Sequence, residues 1–206
     1  KSFSAIQSHS KTSKGWIGGG DYGWAVFSDG DGCHSGSWSS HSPGFSSGDV
    51  VQIIYNADAG SFGWKIKGTT HGAVYSGMTG PVYLAVSMAN GSSINQTTVT
   101  ASSFPLSSAS ASAAAATGAG SGAVQWDMGA NSGDTSGLRA NDKVIEKTTS
   151  GGSGYSVFVC KQPFPTSGTH TVDIRVDSRN TEMAIGVVKS FSAIQSHSKT
   201  SKGWIG

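Results

Sequence analysis

The chain has 206 residues, of which 36% are hydrophobic and only 13% are charged, about half the charged fraction of an ordinary soluble domain. Its 14 basic and 12 acidic residues leave it close to neutral, which argues against electrostatic binding to nucleic acid or to an anionic membrane. No uninterrupted apolar run approaches the roughly 20 residues that a membrane-spanning helix needs.

The two ends of the chain carry the same segment. The first eighteen residues, KSFSAIQSHSKTSKGWIG, recur unchanged as residues 189–206, which defines a period of 188 residues. The segment contains three lysines and no acids, so one period has 14 − 3 = 11 basic and 12 acidic residues, a net charge of −1. This identity indicates a window from a tandem array read in a shifted frame; an engineered overlap and a circular permutant of one domain are the alternatives.

Short apolar runs separated by Gly, Asp, Asn and Ser predict β-strands along most of the chain. The turn Asn56–Gly60 predicts a hairpin between two of them. In Thr171–Asp177, apolar and polar residues alternate, as in a strand with one buried face. No convincing amphipathic helix appears, so the chain is predicted to be all-β, an antiparallel sandwich or barrel. The predicted strands are Tyr22–Phe27, Val50–Tyr55, Gly63–Lys67, Val82–Met88, Tyr155–Cys160, Thr171–Asp177 and Met183–Val188.

One stretch differs from the rest in composition. Ser102–Gly122 is almost wholly Ser, Ala and Gly, and such a sequence buries too little apolar surface to offset its ordering entropy. It predicts a linker over residues 101–123. Residues 1–100 then form the C-terminal part of one domain, and residues 124–206 form the N-terminal part of the next, with 189–206 repeating 1–18.

Joined in that order, the chain resembles a SPRY domain. The blocks that carry the resemblance are Tyr155–Val176, Glu182–Val188, Tyr22–Gly30, Gly48–Ile66 and, as the closing pair, Gly72–Met78 with Pro81–Ser87. The resemblance implies a concanavalin-like β-sandwich that serves as an interaction module. Thr171 departs from the aromatic found in many members, and Lys67-Gly68 departs from the usual Asn-Gly. Since the ligand loops of the family vary, no peptide-binding residues carry over.

Two cysteines and two glycosylation sequons are the candidate modification sites. Cys33 and Cys160 can form a disulfide, within a repeat or between repeats, or can be two buried free thiols. Asn90-Gly-Ser and Asn95-Gln-Thr fit the N-glycosylation pattern and favour secretion.

The remaining polar residues give little indication of catalysis. Asp29-Gly-Asp31-Gly32 imitates the start of a calcium loop, but the twelfth position is Ser40 rather than a bidentate Glu, so a turn is favoured. The histidines lack metal-ligand spacing, and Cys33 and His34 are expected to point to opposite faces of a strand. The sparse acids include no glycosidase-type pair. We therefore predict no enzyme activity, no metal and no cofactor.

Tryptophan supplies the best interface candidates. Trp24 and Trp64 lie in predicted strands and are expected to pack in the core, whereas Trp16 and Trp38 lie in Ser- and Gly-rich stretches that read as loops.

The leading hypothesis is a structural repeat of a long extracellular filament or adhesive surface fibre, in which tandem SPRY-like domains contact copies of themselves. The alternative is a multivalent recognition array that binds peptide or glycan ligands.

Overall fold

The computed structural model describes residues 17–89, 97–101, 126–132, 138–140, 144–147, 155–179 and 182–189. These residues form fourteen β-strands. In chain order they are β1 Gly23–Phe27, β2 Asp31–His34, β3 Ser37–Ser40, β4 Val50–Asn56, β5 Ser61–Ile66, β6 Thr69–Tyr75, β7 Tyr83–Ala89, β8 Thr97–Ala101, β9 Trp126–Ser132, β10 Leu138–Ala140, β11 Val144–Lys147, β12 Tyr155–Pro163, β13 Thr169–Ser178 and β14 Met183–Val188.

The strands build two seven-stranded antiparallel sheets. Sheet I has the order β3-β2-β1-β14-β7-β12-β9, and sheet II has the order β10-β11-β8-β13-β4-β5-β6. Side chains from both sheets share one hydrophobic cluster, which we call the inner core. The prediction of an all-β antiparallel sandwich is therefore confirmed.

Sheet II is buried on one face only. Along β4, Val51, Ile53 and Tyr55 point into the inner core and are at most 4% exposed, and the residues between them, Gln52 and Ile54, are partly exposed to solvent. Along β13, buried and exposed residues alternate in the same way. This period of two is the pattern that the sequence of Thr171–Asp177 predicts.

Sheet I is buried on both faces. Every residue of β1 and of β14 is buried. Their inward side chains join the inner core, whereas Ala25, Phe27, Ala184 and Val188 belong to a second cluster on the other side of the sheet, which we call the outer cluster. Ile17 is fully buried in this outer cluster, and Tyr22, Trp38 and Tyr83 pack against it.

Strands from the two ends of the chain alternate within both sheets. We call residues 17–101 the N-part and residues 126–189 the C-part. In sheet I the pairs β1–β14, β14–β7 and β7–β12 join the two parts, and in sheet II the pairs β11–β8, β8–β13 and β13–β4 do so. The two parts of this chain therefore form one sandwich by interleaving rather than by contact of two finished units.

The end of β14 and the start of β1 lie side by side. Val188 pairs with Gly23, and the Lys189 amide donates a 2.8 Å hydrogen bond to the Tyr22 carbonyl oxygen. In a tandem array, the segment 189–206 would join β14 directly to the β1 of the following copy. Whether 124–206 belongs to a following copy, as the sequence predicts, stays a prediction.

All seven strands predicted from the sequence are present, with ends shifted by at most three residues. The predicted hairpin at Asn56–Gly60 is confirmed, since β4 and β5 pair from Asn56↔Ser61 onwards. The Asn56 side chain accepts a 2.9 Å hydrogen bond from the Ala59 amide, which holds the turn. The predicted linker lies outside the described residues, except for Ala101, which ends β8.

Candidate interaction site

A group of half-buried histidine and tyrosine rings lies around two buried tryptophans where β1 to β3 of sheet I approach β5 and β6 of sheet II. We call it the rim cluster. Its members are Trp24, His34, His41, Trp64, His71 and Tyr75.

His34 is held by its neighbours in one orientation. Its ring stacks on Trp24, with centroids 4.5 Å apart and planes 13° from parallel. Its Nδ1 lies 2.8 Å from the Gly23 carbonyl oxygen, and since a carbonyl oxygen only accepts, Nδ1 is the protonated nitrogen. The Lys189 ammonium also lies over the Trp24 ring, 5.3 Å from its centroid. Residues from both ends of the chain therefore meet at Trp24.

Tyr75 lies between two histidines. Its ring centroid is 6.0 Å from that of His34 and 6.0 Å from that of His41, both in edge-on geometry. His41 also meets Trp64 edge-on at 5.9 Å. Burial is the main cause that raises the pKa of the Tyr75 hydroxyl, so this group stays protonated through the neutral range.

Gly32 makes room for these rings. A Cβ at this position would lie 2.6 Å from His41 Cδ2, 2.6 Å from the Tyr75 hydroxyl and 3.1 Å from Trp64. Any side chain on β2 here would therefore displace the cluster. Serine hydroxyls complete the arrangement: Trp64 Nε1 donates to Ser42 at 3.1 Å, and Ser39 lies 2.5 Å from His41 Nε2.

The cluster suits contact with a polypeptide better than chemistry on a substrate. It offers ring faces, ring nitrogens and hydroxyls, which favour stacking and hydrogen bonding. Within the described residues, no group of three or more His, Cys, Asp or Glu side chains is placed to hold a metal ion.

The strands beside the cluster are also uncharged. β3 (Ser37–Ser40) ends sheet I and β6 (Thr69–Tyr75) ends sheet II, and neither contains Lys, Arg, Asp, Glu or Pro. Charges and prolines are the usual protection of an edge strand against pairing with another chain. β6 carries an irregularity where it faces Phe62 and Trp64, with Ala73 at a φ of 49°, so β3 is the more regular of the two edges.

The two cysteines lie on opposite faces of sheet I. Cys33 is in the outer cluster and Cys160 in the inner core, and both are free thiols. Burial raises the pKa of each, which keeps them protonated and unreactive. No disulfide joins them within this chain, and a link between copies stays a prediction. Cys33 and His34 point to opposite faces, as expected, so they cannot act as a nucleophile and base.

Trp38 differs from its prediction in one respect. It lies in the edge strand β3 rather than in a loop, and its half-buried ring packs on Phe27 with centroids 4.5 Å apart. Trp24 and Trp64 are buried, as expected. Trp16, Asn90 and Asn95 lie outside the described residues, so their predicted roles stay predictions.

The Asp29 motif forms a turn. Asp29 lies between β1 and β2, its carboxylate accepts a 3.1 Å hydrogen bond from the Asp31 amide, and Asp31 begins β2. The rim cluster itself was not predicted. Its members come from β1, β2, β5, β6 and the stretch after β3, and nothing in their spacing along the chain shows that these elements converge.

Comparison with known families identifies part of the chain. Residues 5–100 match the model of the SPRY domain. The matched range includes all strands from β1 to β7 and nearly all of β8, whereas β9 to β14 lie outside it. No curated protein and no solved structure matches the chain.

Proposed function

Because residues 5–100 match the model of the SPRY domain, a family of protein-interaction modules, we propose that the main partner of this chain is another copy of itself. The protein would be the structural repeat of an extracellular filament or adhesive surface fibre. The observation that carries this proposal is the uncharged pair of edge strands, β3 and β6, beside the rim cluster.

The composition supports the same proposal. A surface with few charges of either sign repels its own copies weakly, and serine and threonine hydroxyls can hydrogen-bond across a contact between copies. An array with a period of 188 residues would repeat one interface along its length, which generates an open filament. Within the described residues, no helix is long and apolar enough to span a membrane.

The alternative is a recognition array that binds a peptide or glycan weakly at each module. The rings of His34, His41 and Tyr75 favour it, since they are partly exposed and their apolar faces supply contact area for a ligand. Many weak sites on one chain would then act together through avidity.

A charge placed on the edge strand distinguishes surface self-association from ligand binding. Ser37 is exposed on β3, and Ser37→Lys adds a charge to an edge that has none. We expect the wild-type chain to form oligomers in light scattering and fibres in electron micrographs, and Ser37→Lys to reduce both at least tenfold. Thr166→Lys, at an exposed position of the β12–β13 loop, is the matched control and should leave both unchanged.

A monomer at all concentrations would overturn the self-association proposal. Capture of a defined peptide or glycan by that monomer would support the recognition array instead. The size of the native protein on a denaturing gel tests the tandem array separately, because an array migrates at multiples of one repeat.

A further inference from the structure

Neither part of the chain can complete a sheet without the other. In sheet I, β7 of the N-part lies between β14 and β12, both of the C-part. In sheet II, β8 of the N-part lies between β11 and β13, again both of the C-part. Conversely, β14 lies between β1 and β7, and β13 lies between β8 and β4. Each of these strands therefore finds all its backbone partners in the other part.

The inner core is divided in the same way. Ile53 and Leu84 of the N-part and Phe158 and Ile185 of the C-part are all fully buried in it. Removing either part would expose the apolar face of the other over its whole length. The surface between the two parts is thus as apolar and as closely paired as the interior of a domain, unlike a contact between two preformed modules.

The covalent connection between the parts is residues 102–125. This stretch is dominated by Ser, Ala and Gly, and the pairings of β7, β8, β13 and β14 are the same whichever chain supplies each part. We propose that copies of this chain exchange parts about residues 102–125, so that the N-part of one copy is completed by the C-part of another. This inference deepens the proposed self-association and rests on it.

The linker sets the balance between closed and exchanged forms. Because the two parts belong to one chain, their association is intramolecular, with an effective concentration on the order of millimolar, so a dilute chain closes on itself. Exchange becomes favourable where copies are held together at comparable local concentration, as in a tandem array or a fibre. Reciprocal exchange gives a closed dimer, and exchange in one direction gives an open chain of sandwiches.

Complementary variants of the full chain test the exchange. Ile53→Asp places a charge in the core-facing side of the N-part, and Ile185→Asp does so in the C-part. Each variant alone is expected to remain unfolded. When the two are unfolded, mixed and refolded together at about millimolar concentration, exchange creates one sandwich free of both substitutions. We expect about half of the wild-type near-ultraviolet circular dichroism to return, in particles that light scattering measures as dimers or larger.

The control is a mixture of Ile53→Asp with Val51→Asp, which both lie in the N-part. No combination of their parts is free of substitutions, so no signal should return. Recovery in the first mixture only is the expected result. Absence of recovery in both, or equal recovery in both, overturns the exchange.

A second measurement covers the case in which a single variant still folds. Affinity-tagged and untagged wild-type chains are refolded together at about millimolar concentration, diluted and passed over the affinity resin. We expect the untagged chain to be retained after joint refolding and not after mixing of the folded chains. Equal retention in the two samples, or none, overturns the exchange. Fibres in electron micrographs without exchange would support the proposed function and overturn this inference. Exchange without fibres would support this inference and overturn the proposed filament.

Discussion

The outer faces of the two sheets differ in polarity and in exposure to solvent. The outer face of sheet II is polar and open to solvent, with Asp173 and Arg175 exposed along β13. The outer face of sheet I is apolar and closed, with Ala25, Ala184 and Val188 fully buried. Sheet I therefore has packed side chains on both of its faces.

This difference explains the two kinds of strand in the sequence. A strand with one buried face typically carries a polar residue at every second position, whereas a strand that is buried on both faces is apolar along its whole length. β13 shows the first pattern and β14, with the sequence MAIGVV, shows the second. A substitution that sheet II tolerates should therefore be costly at the equivalent position of sheet I.

The largest expected effect is at Gly186 in the centre of β14. A Cβ there would lie 2.0 Å from the Trp24 carbonyl oxygen and 2.7 Å from the Ala25 Cα, both backbone atoms that cannot move without breaking the β1–β14 pairing. We expect Gly186→Val to lower the free energy of unfolding by more than about 4 kcal/mol, or to prevent folding. Urea unfolding followed by tryptophan fluorescence measures it.

The matched control for this prediction is Gly72→Val on β6 of sheet II. A Cβ at Gly72 would meet no atom within 4 Å. Its unfolding midpoint should stay close to that of the wild type. Similar losses at Gly186 and Gly72 would show that β14 is not packed as closely as described.

A charge on each outer face gives the next largest effect. Ala184→Asp would bury an unpaired carboxylate in the outer cluster, and we expect a loss of about 3 kcal/mol or more. Thr171→Asp places the same group on the outer face of sheet II, where it is half-exposed, and should cost less than about 1 kcal/mol. Equal losses in chemical denaturation would contradict the contrast between the two faces.

The closed outer face of sheet I should also make the protein sensitive to alkali. Burial raises the pKa of the Cys33 thiol, and burial together with Asp21 raises the pKa of Tyr22 to about 12. In the unfolded chain these groups lose their protons near pH 8.5 and 10, roughly. Between those values and the folded-state values the unfolded chain binds fewer protons, so stability is full below about pH 8 and falls as the pH rises.

The check is the urea midpoint at neutral pH and at two alkaline pH values. Tyr22→Phe and Cys33→Ala should each make the alkaline decline shallower, because each removes a group that ionises only on unfolding. Asp173→Asn on the outer face of sheet II should leave the decline unchanged. A decline that is the same in all four proteins would contradict this assignment.

The smallest expected effect concerns the junction of the two parts at Trp24. Lys189→Met removes the ammonium that lies 5.3 Å from the Trp24 ring centroid but keeps the length of the side chain. We expect a loss of about 0.5–1 kcal/mol in thermal unfolding. Lys161→Met, at an exposed position of β12, is the control and should change stability less. An equal change in both would mean that the contact with Trp24 contributes nothing.

The sequence predicts the strands of the core well because their apolar residues are dense. Short apolar runs predict strands at Val50–Tyr55 and Met183–Val188, and both form strands at those positions. The apolar pattern predicts neither β3 nor β6, although the block Gly72–Met78 of the resemblance covers the end of β6. β3 is Ser-Trp-Ser-Ser and β6 contains Gly72, and a strand with little buried surface carries little of the apolar pattern that marks a strand.

The rim cluster was missed for a different reason. His34, His41 and Tyr75 come together because β2 of sheet I and β6 of sheet II are brought to one side by pairings between residues far apart in the chain. Such pairings depend on the register of the whole sandwich, which no local pattern specifies. The sequence predicts that two such parts join in one domain, but the alternation of their strands within each sheet is not predicted, for the same reason.

Interleaving has a consequence for the protein during its synthesis. β7 is complete once Ala89 has been made, but β14, one of its two neighbours, ends only at Val188. At about 5–20 residues per second, a ribosome needs roughly 5–20 s to cover that interval. Until a C-part is available, β7 and β8 of the nascent N-part lack their neighbouring strands in the two sheets. An N-part can therefore complete its two sheets before its own C-part is made only by pairing with the C-part of another copy.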